Sequence, residues 1–133
     1  MADGEGWASA LSEGGFFGFE RLEVYRLSVR LAKDVYSLTR RLPADERFGL
    51  TNQLRRAATS VTLNIAEGRG RGTDRDFARF LMQARGSLYE VVSALHLTAE
   101  LDYLPAQDCK EAVTLAQTLA SKLTAFAQKL NPS

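Results

Sequence analysis

The chain has 133 residues, of which 45% are apolar and 25% are charged, and its formal net charge is +1. This length is typical of one globular domain, and the composition is typical of a soluble globular protein rather than a disordered or membrane one. No apolar run approaches the roughly 20 residues that span a bilayer, and residues 1–18 lack the basic start of a secretion signal. Cys109 is the only cysteine, so no intrachain disulfide can form. We therefore expect a cytoplasmic protein with no membrane partner.

The small net charge conceals an uneven distribution along the chain. Residues 1–18 hold three acidic and no basic residues, residues 19–85 hold 14 basic and 8 acidic residues, and residues 86–133 hold 3 and 5. All thirteen arginines lie between Arg21 and Arg85. Arginine binds phosphate through a rigid, bidentate fork, so this segment favours an anionic partner. A solvated helix surface with internal ion pairs is the alternative, and composition alone favours it.

The chain is predicted to consist of a tail over residues 1–18 and a bundle domain over residues 19–130. Half of the ten glycines fall within residues 1–18, which is typical of a mobile, disordered segment. Apolar residues then recur at helical spacing over four segments, and no segment shows the alternation of a strand. The predicted helices cover residues 19–42, 45–67, 74–102 and 105–130, with Pro43 ending the first. Joined by short loops, they predict an all-α, antiparallel up-down-up-down four-helix bundle.

The first predicted helix carries two apolar stripes, which together are wider than one partner helix covers. One stripe consists of Leu22, Tyr25, Val29, Ala32, Tyr36 and Thr39, and the other of Val24, Leu31, Val35, Leu38 and Leu42. Since one bundle cannot bury both, we predict self-association through this helix.

The stretch "NIAEGRGRGTDRDFARF" (residues 64–80) joins the second and third helices. Gly68 is expected just past a helix end, where glycine adopts positive φ. Thr73 or Asp74 is expected to cap the next helix, and Thr73 with Asp76 resembles a capping box. Ser60 and Asn64 are expected to bond to backbone carbonyls or across the bundle. Gly86, inside the third helix, predicts a tight helix crossing.

The sequence shows no convergent catalytic or metal-binding groups, so we predict no enzyme, no cofactor and no small-molecule substrate. His96 is the only histidine, and Glu-x-x-His pairs typical of di-metal bundles are absent. The loop "GRGRG" lacks the lysine and the spacing of a Walker loop and follows a helix rather than a strand. What remains is charge: Arg69, Arg71, Arg75 and Arg79 surround a helix start, where anions are favoured.

Two arginines on the preceding helix, Arg55 and Arg56, lie some 20 Å from this loop in their own chain. Together the six arginines predict a surface that could follow a phosphate backbone, above all if an oligomer repeats it. Alternatively, Glu67, Asp74 and Asp76 neutralise the loop locally.

Residues 19–104 resemble the four-helix-bundle family of large-subunit rRNA intervening-sequence proteins. The motifs are the F-x-x-L start, "ERFGL" followed by "QLRRA", "NIAEG" and "ARGSLYE". The family in turn resembles the accessory variability protein of diversity-generating retroelements, a pentameric barrel that binds nucleic acid and associates with a reverse transcriptase. The residues that match the motifs are Gln53, Arg55, Arg56, Asn64, Glu67, Gly68, Arg85, Gly86, Ser87, Tyr89 and Glu90.

The resemblance implies a non-enzymatic homo-oligomer, with a pentamer expected, whose partner is structured RNA or a reverse transcriptase–RNA complex. The arginines predicted to contact RNA are Arg55, Arg56, Arg69, Arg71, Arg75 and Arg79. The alternative is a scaffold that binds a protein, with arginines in inter-subunit ion pairs. Arg85 and Glu90 suit that second role better than they suit phosphate binding.

Overall fold

Four α-helices make up most of the computed structural model, which describes residues 15–132. They are α1 (Glu23–Thr39), α2 (Leu50–Arg69), α3 (Asp74–Glu100) and α4 (Ala106–Leu130). Two short 3-10 turns, Phe19–Arg21 and Ala44–Glu46, precede α1 and α2. The described residues contain no strand and no helix that is long and apolar enough to cross a membrane. The predicted all-α, four-helix fold is confirmed.

The first two helices are shorter than their apolar pattern predicted. Thr39 ends α1 four residues before Pro43, and α2 begins only at Leu50. Between them, the Ala44–Glu46 turn brings the Glu46 carboxylate to the start of α2, where it accepts a hydrogen bond of 2.9 Å from the Leu50 N–H. A free N–H at a helix start needs such an acceptor, so this side chain defines where α2 begins.

The loop between α2 and α3 also differs from expectation at its first glycine. Gly68 lies inside α2, which continues to Arg69, and the described glycines after it do not adopt positive φ. By contrast, Thr73 caps α3 as predicted, because its hydroxyl accepts a hydrogen bond of 3.1 Å from the Asp76 N–H.

Each helix packs mainly against two neighbours: α1 and α3 both contact α2 and α4. Contacting residues on neighbouring helices occur in opposite sequence order. Thr62 bonds Ser28 and Arg55 bonds Thr39 between α1 and α2. Lys122 pairs with Glu23 at the start of α1, whereas Arg41, just after α1, pairs with Asp108 near the start of α4. The core between the helices is aliphatic, and its largest fully buried side chains include Leu54, Ile65, Leu81, Leu88, Leu95, Leu119 and Leu123.

One stripe of α1 that was expected to mediate self-association is buried within the subunit. Leu31 and Val35 have no exposed surface, and Leu38 packs against the same core. They are therefore structural residues. The other stripe is only partly covered: Leu22, Tyr25 and Ala32 also pack against the core, whereas the ring of Tyr36 is exposed.

The sequence predicted a tight helix crossing at Gly86, but the structure has the close approach at Gly68 instead. A Cβ on Gly86 would meet no atom within 4 Å, so no helix crosses there. A Cβ on Gly68 would lie 2.7 Å from the Cβ of Phe80 and 3.0 Å from Cδ1 of Phe77. The close approach is therefore between α2 and α3 at Gly68.

Candidate nucleic-acid interface

The arginines of the loop between α2 and α3 are partly neutralised by neighbouring carboxylates. Arg71 lies 3.7 Å from Glu67 and 3.7 Å from Asp76, and Arg79 lies 3.6 Å from the other oxygen of Asp76. These pairs are solvent-exposed, so each contributes at most about 1 kcal/mol to stability. Asp74, the third carboxylate expected to take part, makes no ion pair in the described chain. Local neutralisation is thus present for two of the six candidate arginines.

The ring of Phe80 lies under the same two arginines. The guanidinium carbon of Arg71 is 5.2 Å from the ring centroid and that of Arg79 is 4.7 Å from it. A cation over an aromatic face is attracted by the quadrupole of the ring. Phe80 is itself buried between α2 and α3. The ring and the carboxylates together hold both guanidinium groups in fixed positions on the surface.

Three other candidate arginines keep their charge available to solvent. Arg56, Arg69 and Arg75 are exposed and make no ion pair with a described residue. The Arg69 guanidinium lies on the turn before α1, 3.1 Å from where a Cβ on Gly18 would be. Arg75 lines an open groove between the start of α3 and the end of α4. These two cations lie on either side of the α2–α3 loop.

Arg55 is a structural residue rather than a free cation. Its Nε donates a hydrogen bond of 2.9 Å to the hydroxyl of buried Thr39, and its guanidinium stacks on Tyr36 at 4.5 Å. Arg56, by contrast, is exposed in an open groove along α2 that also contains Leu63. Thirteen residues of continuous helix separate Arg56 from Arg69, or about 20 Å. The six candidate arginines therefore form two separate groups.

The remaining motif residues hold α2 to α3 or lie on the outside of α3. Asn64 donates to the carbonyl of Ser60 at 2.9 Å, and the Ser60 hydroxyl bonds that of Ser87 at 2.9 Å, as the polar pattern predicted. Arg85 donates to the Tyr89 hydroxyl at 2.7 Å and stacks on the same ring at 4.7 Å. Glu90, expected to share an ion-pairing role with Arg85, is exposed and unpaired among the described residues.

The fold separates charge between the two ends of the bundle. One end joins the segments 15–26, 66–82 and 118–132, which hold eight basic and five acidic residues, a net charge of +3. The other end joins residues 40–54 and 96–112, which hold four basic and six acidic residues, a net charge of −2. Below, "the basic end" means the first of these. The charge difference between the two ends is not visible in the sequence, because each end is built from segments that lie far apart along the chain.

The structure also places the metal-ligating and nucleophilic side chains of the described residues. No group of three or more His, Cys, Asp or Glu side chains in residues 15–132 could hold a metal ion. His96 is exposed, and burial raises the pKa of the Cys109 thiol, with Asp108 nearby adding to the effect. A thiol with a raised pKa is a poor nucleophile.

Comparison with known proteins agrees with the resemblance in the motifs. The profile of the 23S rRNA-intervening sequence protein family matches residues 20–125, most of the chain. A comparison with curated proteins gives no significant match. The matched range contains all four helices up to the last turn of α4, together with both groups of arginines. The chain therefore belongs to the 23S rRNA-intervening sequence protein family.

Proposed function

We propose that this protein is a non-enzymatic, self-associating bundle that binds structured RNA through its basic end. The observation that carries the proposal is the net charge of +3 at that end, where Arg69 and Arg75 are exposed and have no carboxylate partner within residues 15–132. Phosphate contacts supply most of the non-specific affinity of proteins for nucleic acids.

The arrangement of the other two arginines supports the same role. Arg71 and Arg79 are held by Phe80 and by carboxylates, so little side-chain entropy is lost when they meet a ligand. A phosphate can replace the weak, exposed pairs with Asp76 and Glu67 because those pairs contribute little. The carboxylates also limit the affinity, so we expect binding that weakens strongly as salt rises.

Self-association is proposed through the outward faces of α1 and α2. The residues concerned are Val29, Ala32, Tyr36, Thr59, Thr62 and Leu63, which line one shallow cleft. Leu63 is 61% exposed in the middle of α2, where a polar residue is usual. Within each subunit we propose up-down-up-down topology, because contacting residues on neighbouring helices run in opposite sequence order. A pentamer, the state that the family resemblance implies, would repeat the basic end around one ring.

The test is a titration of labelled structured RNA at two salt concentrations, with the solution mass recorded on the same sample. The variant is Arg69→Gln/Arg75→Gln, and the control is Arg30→Gln/Arg47→Gln, which removes two exposed arginines outside the basic end and outside that cleft. Each lost phosphate contact should flatten the slope of log K against log salt by about 0.7–0.9. Equal affinity of all three proteins would refute the assignment of RNA to the basic end.

The second candidate function is a scaffold for a protein, such as an accessory subunit of a reverse transcriptase. It is favoured by the groove on α2, where the fixed Arg55–Tyr36 pair adjoins exposed Leu63. Arginine, tyrosine and an apolar contact together are typical of protein interfaces. Under this hypothesis Arg56→Ala would dissociate the oligomer or release the partner, while affinity for RNA stayed constant.

A further inference from the structure

An open groove at the basic end combines two arginines with an apolar floor. It lies between the start of α3 and the end of α4, with a volume of about 530 Å³, which is within the range of ligand clefts. Arg75 and Arg79 line one side, and Thr124 and Gln128 line the other. The apolar part is formed by Ala78, Met82 and Ala127. Asp76 also lines the groove, but its oxygens already face Arg71 and Arg79.

The chain carries a segment of complementary composition directly before the described residues. Residues 1–14 contain three acidic residues and no basic one, so their net charge of −3 opposes the +3 of the basic end. Their large apolar residues, Trp7 and Leu11, are four positions apart. We call residues 1–14 the acidic segment.

Gly15, the first residue after the acidic segment, lies at the basic end of the bundle. The Gly18 N–H donates to the Gly15 carbonyl at 2.9 Å, and this turn lies against Arg69 at the end of α2. The eight residues from Trp7 to Gly15 can span up to about 28 Å when extended. This reach exceeds two helix diameters of about 10–12 Å each, which is enough to pass over the bundle end to the groove.

We propose that the acidic segment docks in the groove of its own chain, with Trp7 and Leu11 on the apolar part and a carboxylate beside Arg75 and Arg79. The acidic segment is joined to the bundle by a short stretch of chain, so its effective concentration at the groove of its own subunit is high. Because Arg75 and Arg79 belong to the basic end, the docked segment would compete with RNA. Only this competition rests on the proposed function; the docking itself does not.

Trp7 is the only tryptophan of the chain, so its fluorescence reports directly on docking. We would measure its emission and its quenching by acrylamide in the full chain. The first variant is Arg75→Gln/Arg79→Gln and the control is Arg30→Gln. A second variant, Asp3→Asn/Glu5→Gln/Glu13→Gln, changes only the acidic segment and leaves the bundle residues intact.

We expect blue-shifted, weakly quenched emission from the wild type and the control. Both groove and segment variants should shift the emission to the red and increase quenching, with the far-UV circular dichroism unchanged. High salt should release the wild-type segment, since its contacts are exposed charge pairs. Emission typical of exposed tryptophan in the wild type would overturn the proposal. So would a shielded Trp7 that responds to neither variant, or one whose shielding depends on protein concentration.

The competition is tested by RNA titration of the wild type and the segment variant. We expect tighter binding by the segment variant, with a salt slope steeper by about 0.7–0.9 for each arginine released. Equal RNA affinity, together with a Trp7 response, would overturn the competition and leave the docking supported. Absence of RNA binding by both proteins would refute the proposed function, while the fluorescence would still decide the docking.

Discussion

Replacing Gly68 by alanine should destabilise the protein, although alanine is the better helix former. The added Cβ would lie 2.7 Å from the Cβ of Phe80, closer than two carbon atoms can pack. That neighbour is a Cβ, which is fixed to the backbone, so only a shift of α2 against α3 relieves the contact. Overpacking of this kind costs about 1–3 kcal/mol, and the gain in helix propensity offsets up to about 1 kcal/mol of it. We expect a net loss of roughly 1–2 kcal/mol.

Gly86→Ala is the matched control. The same chemical change occurs in the middle of α3, where a new Cβ would meet nothing within 4 Å. Only the helix-propensity gain remains, so we expect stabilisation by about 0.5–1 kcal/mol. The two variants should therefore move the free energy of unfolding in opposite directions.

Urea denaturation followed by circular dichroism measures both effects. Because association makes stability depend on concentration, all three proteins are compared at one concentration. An unchanged m-value would show that the midpoints report stability alone. If Gly68→Ala were as stable as the wild type, α2 and α3 would not approach as closely as described, and the reasoning would fail. If Gly86→Ala lost its oligomeric mass, a second copy would cover that position.

Four further predictions concern the cap of α3, the core, the proposed contact between subunits and the Glu46–Tyr103 contact. Thr73→Ala removes the acceptor for the Asp76 N–H and should lower the free energy of unfolding, measured by thermal denaturation, by about 1 kcal/mol. Leu54→Ala, at a fully buried site, should lower the free energy of unfolding by about 2–5 kcal/mol. Leu63→Ala should leave the stability of the subunit nearly constant but reduce the oligomeric mass measured by light scattering. Hydrogen bonds from the Leu50 N–H and the Tyr103 hydroxyl lower the pKa of Glu46. Since this pKa is lower in the folded than in the unfolded state, the contact stabilises fully above pH 4.5, and the stabilisation is lost as the pH falls from there through the lower folded pKa. Tyr103→Phe should flatten that acid limb of the stability curve, and an unchanged limb would contradict the assignment.

The helices and the cap of α3 could be read from the sequence because both depend on local spacing. Apolar residues that recur every three or four positions produce a helix wherever a core exists to cover them. Thr73 caps α3 because its hydroxyl needs only a backbone N–H three residues away. The absence of a convergent catalytic pattern was also a sequence-level expectation, and it stays one.

Only the tertiary structure shows how each residue packs against the neighbouring helix. Gly68 and Gly86 look alike in sequence, and only the path of the neighbouring helix makes one of them tight. Both stripes of α1 are apolar, and only packing shows that Leu31 and Val35 are the buried ones. Periodicity describes one helix at a time, so it carries no information about the distance to the next.

The charge distribution shows the same division between sequence and fold. The sequence by itself determined how many charges the chain has and that its arginines lie in one half. The packing of the helices brings residues 66–82 beside residues 118–132 and separates them from residues 40–54. Electrostatic attraction acts through space rather than along the chain, so only the fold could show a basic end and an acidic end on a nearly neutral protein.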